Sequence, residues 1–306
     1  MANTCYDNFF LSNEIEDQYQ SHLDLQQFCT VDNNLTGVAG MVRKIHKYKA
    51  TDGTEKLTMG NGNTKTIEAG YTEKEYRIQM AQNRFQYYDE EAMTDPMVIT
   101  TGTRHAGTDM FNTVNADIFG AFNEATMTIV TTALGFDAFV DGAAMLNLEN
   151  LEGVTIFGFV NPADMAKLRK ALKDDLKYVE AYAKQGYVGT VGGINIYTKK
   201  NAETGKVVIA TKEAVTLFNK KGTEVEQPPR DSGDANIRKN TIFSRKYYLA
   251  ALTDETKAVK IHKGTATLTS DTSVTPDKVY YKKVGNGYVV GTPDTNPKSE
   301  GFYEIA

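Results

Sequence analysis

The sequence predicts an α+β fold, on three observations. Residues 42–49 and 76–88 alternate apolar and polar side chains over unusual lengths, which reads as a long β-hairpin. Residues 108–129 repeat apolar side chains every three or four positions, which reads as one long helix. The strands after residue 154 come as local hairpins without regular βαβ alternation.

The order of elements follows the chain. Residues 1–40 hold Asp7, Glu14, Glu16, Asp17, Asp24 and Asp32 and no Lys or Arg. Ile15, Tyr19, His22, Leu23 and Phe28 recur at near-helical spacing behind Asn13, predicting a short amphipathic helix on an extended arm. Arg43, Lys44, Lys47 and Lys49 follow at once, so acidic arm and basic strand could pair, within one chain or between neighbours; a plain solvated helix is the competing reading. Tyr76, Ile78 and Met80 alternate with Arg77, Gln79 and Ala81, and Phe85 and Tyr87 resume in the other phase, so a bend is expected near Asn83. Residues 48–75, rich in Gly, Thr, Asn and Lys, supply a polar tip. A two-stranded ribbon is marginal in water and needs another surface to lie on.

The long helix presents Met110, Val114, Ile118, Phe122, Ala125 and Ile129 on one stripe, and a shorter helix is expected over 136–146. Residues 154–160 read as a buried strand. Asn161-Pro162 then opens a helix, Asn as cap and Pro at the first helical position. Strands over 187–191 and 194–198 turn at Gly192-Gly193, and further strands are expected at 206–210, 214–218, 242–252 and 258–262. The last 43 residues carry four short strands, at 265–269, 279–283, 288–291 and 302–305, too small a segment for a large core.

Composition narrows the function classes. The 306 residues carry 34 Lys+Arg and 39 Asp+Glu, a net charge of −5, which disfavours a protein built to coat nucleic acid. Two cysteines, Cys5 and Cys29, exclude a disulfide scaffold and a four-cysteine zinc site. The first residues lack a basic, apolar leader and no run approaches a membrane span, so neither export nor membrane insertion is expected. His22, His46, His105 and His262 show no metal-ligand spacing. Gly186, Gly189, Gly192 and Gly193 sit between strands, not at the start of a helix as a dinucleotide fingerprint would. No catalytic residue, cofactor site or metal site is expected. The 17 tyrosines, with doublets at Tyr87-Tyr88, Tyr247-Tyr248 and Tyr280-Tyr281, suit protein–protein contact and ordinary strand preference equally.

The order of parts resembles the major capsid protein of tailed bacteriophages, the Hong Kong phage fold shared with encapsulins. Residues 85–96, from Phe85-Gln86-Tyr87-Tyr88 to Asp95-Pro96, resemble the end of the hairpin arm in capsid proteins of phages of Gram-positive bacteria. Residues 161–169 resemble the strand-to-helix step of the axial domain, and 189–198 its glycine-punctuated hairpin. The segment from Arg238-Lys239-Asn240 to Leu252 resembles the return to the peripheral domain. Each string is weak alone; their order over residues 1–263 is specific. The likeness implies an N-terminal arm at 1–40, a projecting hairpin (E-loop) at 41–92, a peripheral domain with its spine helix at 93–135 and 241–263, an axial domain at 136–240, and a β appendage at 264–306. It implies self-assembly into hexamers and pentamers of an icosahedral virion capsid around double-stranded DNA without sequence-specific binding, in the host cytoplasm. Expected partners are a separate scaffolding protein, a portal protein and a possible decoration protein, and no membrane. Candidate assembly contacts are Tyr76, Ile78, Met80, Phe85, Tyr87, Arg43, Lys44 and Lys47. Some relatives cross-link through Lys and Asn, but no pattern marks Lys56 or Lys65 for that. An encapsulin-like compartment and a soluble enzyme are the alternatives.

Overall fold

The two alternating runs that suggested one ribbon belong to two different sheets. The computed structural model describes residues 23–36, 40–148, 154–172 and 189–306. Most of the helix expected after Asn13 lies outside these residues; the described part is a 3-10 turn, Leu25–Phe28, capped by the Asp24 carboxylate, which accepts the Gln26 N–H at 3.0 Å. Strand β1 (Thr30–Asp32) follows. β2 (Val42–Ala50) and β3 (Ala69–Arg77) then pair antiparallel by themselves, in register from Val42 opposite Arg77 to Ala50 opposite Ala69. Their connection, residues 51–68, forms the tip.

Ile78 belongs to neither neighbouring strand. Beyond it β4 (Gln79–Tyr88) leaves the hairpin and enters a second sheet. The change of phase therefore falls between Ile78 and Ala81, not near Asn83. Tyr76 and Ile78 point inward before it, and Ala81, Asn83, Phe85 and Tyr87 after it. A short helix α1 (Asp89–Thr94) leads to α2 (Met97–Asn123), about 40 Å long at 1.5 Å per residue. α2 starts well before the expected residue 108 and ends before Ile129. That residue instead sits in β5 (Met127–Thr131), whose β-branched run favours a strand.

The remainder runs α3 (Phe136–Met145), β6 (Ile156–Val160), α4 (Pro162–Ala171), β7 (Thr190–Val191), β8 (Ile194–Thr198), β9 (Lys206–Thr211), β10 (Val215–Glu226), α5 (Ser232–Asn236), β11 (Lys239–Leu252) and β12 (Ala258–Lys263). At α4 the Asn161 side chain accepts the Ala163 N–H at 2.9 Å, the cap expected from Asn161-Pro162. β10 and β11 run well past their apolar ends as a polar hairpin with two register shifts. The tail contributes β13 (Ala266–Leu268), β14 (Tyr280–Val284), β15 (Gly287–Gly291) and β16 (Phe302–Ile305).

One sheet has the order β1-β10-β11-β4, and a ten-stranded sheet runs β13-β16-β14-β15-β5-β12-β9-β6-β8-β7. Strand alternation divides the larger sheet's side chains between two cores. Phe157, Phe159, Val208, Ala210 and Ala258 face α2, with Val114, Ile118 and Phe122. Ile156, Val207, Ile209, Val259 and Ile261 face the other way, onto Phe139 of α3 and Met165 and Leu168 of α4. Buried Asn115 of α2 ties the amino-terminal chain to this body: its Oδ1 accepts the Leu25 N–H and its Nδ2 donates to the Leu23 carbonyl, each at 3.1 Å.

The tail joins the body edge to edge. Tyr288 lies opposite Thr128 and Val289 opposite Met127, and the Val290 N–H donates to the Thr126 carbonyl at 3.0 Å. Within the tail, Lys278 reaches Asp271 at 2.7 Å and Glu304 at 2.9 Å, and the Tyr280 hydroxyl donates to Asp271 at 2.6 Å. The hydrogen bond from Lys278, then that from Tyr280, holds Asp271 below the usual carboxylate range; Thr269, then Lys278, does the same for Glu304. A depressed carboxylate stabilises the fold above about pH 4, and that contribution is lost as pH falls through its lower folded value. Lys278 is shifted up by the same contacts, so its share is present below about pH 10.5 and lost above its raised value. The groups are part-exposed and screened, so the expected effect is local. Lys278→Met should speed limited proteolysis within 264–306 at pH 7, leaving the body intact by mass spectrometry. Wild type should show the same cuts with pepsin only at strongly acid pH. Identical cleavage rates in the two proteins would remove the ion cluster as the tail's fastening.

Candidate assembly surface

The hairpin of β2 and β3 has no third layer among the described residues, and its exposed side chains decide what it can do. Met41 and Val42 at its base are 40% and 51% exposed, and Tyr71 on β3 is 63% exposed. At the tip Leu57 is 50%, Ile67 59% and Met59 fully exposed. Apolar side chains clustered this way on a projection mark an interaction surface. Sequence reasoning passed over Leu57, Met59, Ile67 and Tyr71. Their signal was their apolar character inside an otherwise Gly/Thr/Asn/Lys-rich stretch.

The tip is held by its own polar groups. The Glu55 carboxylate accepts the Thr64 N–H and hydroxyl, both at 2.9 Å, and these bonds hold its pKa down. Asn63 donates to the Gly53 and Lys65 carbonyls at 3.3 and 2.8 Å. Gly53 is buried where a Cβ would run into the Ile67 side chain, so a glycine is needed at that crossing.

The candidates named from sequence take different places. Lys44 bonds across the hairpin to Glu73 at 2.5 Å and Glu75 at 2.6 Å, which raises its pKa. The acidic partner of this part of the basic strand is thus the facing strand of the same hairpin. Arg43 lies over the Phe218 ring at 5.8 Å, and Tyr76 donates its hydroxyl to the Leu252 carbonyl at 3.0 Å, so both anchor the hairpin's base to the body. Lys47 is placed by register alone, opposite Thr72.

Ile78 and Tyr87 are buried within the subunit, 4% and 8% exposed, and are inner packing residues. Phe85 is half-buried, stacked on Tyr87 at 5.8 Å, with its ring against Gly102 of α2 where a Cβ would collide with it. Met80 stands beyond the joint, on β4 opposite Tyr247, and is 49% exposed. It belongs to the sheet and not to the ribbon, because the joint at Ile78 reversed the inward face.

A polar knot fixes the far end of β4. Arg230 pairs with Asp89, Arg238 with Glu90, and Asn240 donates to Asp89 at 2.7 Å while accepting from Arg230 at 3.0 and 2.8 Å. The Arg230 and Asn240 contacts hold Asp89 below the usual carboxylate range. The knot thus ties the end of β4 and the start of α1 to the connection between β10 and β11 and to β11 itself.

Nothing in this arrangement activates a nucleophile. Cys29 is buried and burial pushes its thiol up to about 11, so it stays protonated at neutral pH. Among the described residues no three His, Cys, Asp or Glu side chains converge as metal ligands, and no helix is long and apolar enough to cross a membrane.

No family model matches the chain. It is 28% identical over 271 residues to the major capsid protein of Staphylococcus phage phiMR11, covering 82% of this chain and 91% of that protein. Among solved structures, the capsid of cyanophage P-SCSP1u superposes with a TM-score of 0.62 at 16% identity, over 79% of this chain and 88% of that one. The capsid of the empty GTA particle gives 0.61 at 14% identity, over 79% and 97%. The SrpI encapsulin of Synechococcus elongatus gives 0.59 at 10% identity, over 80% and 89%. The structural likenesses establish a common fold.

Proposed function

We infer that this chain, a structural, non-enzymatic major capsid protein with the tailed-phage capsid fold, builds the hexamers and pentamers of an icosahedral head enclosing double-stranded DNA. The observation that carries the reading is the hairpin, which has no third layer among the described residues, with its exposed apolar tip. A ribbon that cannot bury its own apolar surface gains that burial by lying across a neighbour, and the same contact repeats by symmetry around a closed shell. Val42, Leu57, Met59, Ile67, Tyr71 and, beside the joint, Met80 are the proposed contact side chains. Lys47 stands on the same strand, while Arg43, Lys44, Tyr76 and Phe85 set the hairpin's attitude.

On this reading residues 1–40 form the arm and 41–92 the E-loop with its supporting strand. Residues 93–135 and 241–263 form the peripheral domain around α2, 136–240 the axial domain, and 264–306 the appendage. The net charge of −5 suits a wall that encloses DNA without gripping it, since every phosphate contact adds salt-sensitive affinity. Assembly in the host cytoplasm with a separate scaffolding protein, around a portal and with a possible decoration protein outside, completes the proposal.

The encapsulin likeness keeps a second reading alive: a compartment loaded with protein. Light scattering on a sizing column, with negative-stain microscopy of the peak, tests both. Rings or shells are expected, alone or with the scaffolding protein co-expressed. Nuclease-protected DNA inside particles from infected cells supports the virus, and protein cargo supports the compartment. A monomer that persists with the scaffold present would overturn the shell reading.

A further inference from the structure

A cleft of about 620 Å³ lies between the second half of α2 and the turn that follows β8. Among the described residues, Lys199, Lys200, Lys206 and Lys260 line it, with Glu203 as the one carboxylate. Lys206 is paired with Glu203 at 2.6 Å. Lys260 donates at 3.3 Å to the carbonyl of Asn123, the last residue of α2. Lys199 is the exception: it is only 6% exposed, and its ammonium has no hydrogen-bond or ion-pair partner among the described residues. A partly desolvated charge without a partner among the described residues favours a compensating anion.

We propose that this cleft is a binding site for a phosphate-bearing anion, with the Lys199 ammonium as its innermost contact. Four lysines lining one cleft, as point charges without an arginine fork, suit the many oxygens of a tetrahedral phosphate. The volume admits more than one phosphate group. Burial lowers the pKa of Lys199; for Lys260 burial acts first and the Lys206 charge second. A bound anion relieves both. The source of the phosphate is either a small free polyphosphate or the backbone of a nucleic acid. The inference goes beyond the shell reading and stands or falls on the unassembled subunit.

The experiment measures the thermal midpoint of the full chain as pyrophosphate replaces chloride at constant ionic strength. A rise of about 5 °C is expected at a hundredfold excess over the dissociation constant. Lys199→Met, which keeps the stem and removes the charge, should fold normally and lose the rise. Lys260→Met serves as the second variant and should reduce it. Displacement of pyrophosphate by a short DNA duplex assigns the site to nucleic-acid backbone; failure to displace assigns it to a free anion. No rise in wild type, or an equal rise in Lys199→Met, overturns the proposal.

Discussion

Leu57→Asp combined with Met59→Asp should leave a folded subunit that no longer closes into shells. Met59 is fully exposed and Leu57 half-exposed, so neither change costs the isolated subunit more than about 0.5 kcal/mol. In the shell each side chain is worth about 1–2 kcal/mol of apolar burial at 25 cal/mol per Å². An aspartate buried there without a partner adds a desolvation penalty of several kcal/mol. That loss recurs at every copy, so particle yield should fall by orders of magnitude. Circular dichroism reports the intact subunit, and light scattering reports the missing particles. Shells at wild-type yield would show that the tip faces solvent in the assembly.

Phe122→Ala should have the largest effect on the subunit itself. Phe122 is fully buried on α2, with its ring 5.7 Å from Phe157 and 5.6 Å from Phe159; Phe28 closes the same cluster at 5.0 Å from Phe157. Truncation removes the contact that seats α2 on the ten-stranded sheet, and rigid strands on that side cannot collapse into the void. The expected cost is about 3–5 kcal/mol. That corresponds to a fall in the thermal midpoint of roughly 10 °C. A change under about 1 kcal/mol in denaturant unfolding would mean that α2 is held mainly by its polar ties, Asn115 to the Leu23–Leu25 chain and Asp117 accepting the Tyr248 hydroxyl of β11.

Local chemistry made much of this fold legible before any coordinates. Asn161-Pro162 announced α4, Gly192-Gly193 the turn between β7 and β8, and each tail strand fell within two residues of its expected place. The failures have identifiable causes. The first turns of α2 read Met97-Val98-Ile99-Thr100-Thr101-Gly102-Thr103, rich in β-branched residues and glycine, which disfavour a helix in isolation. Tertiary contact overrides that preference: Gly102 admits the Phe85 ring against the helix.

The joint at Ile78 was hidden because apolar residues continue through it. Only the change of pairing partner, from β2 to β11, marks it. The lysine cleft was invisible for a simpler reason. Its walls come from residues 112–123, 199–206 and 260, and no spacing rule links them.

The sheet ends have a consequence for how copies of this chain can stick together. Each open strand margin offers unpaired N–H and C=O groups that invite another strand. On the large sheet those margins are β7 and β13, two and three residues long, because the tail has already sealed β5. On the smaller sheet β1 offers three residues. Among the described residues, the longest margins, nine residues on each side of the hairpin and ten on β4, lie along one continuous stretch of chain. Crowded subunits are thus steered away from random strand-by-strand clumping through the body. Among the described residues, the long stretches of backbone open to a neighbour lie on that limb and on the far part of β10, beyond Phe218.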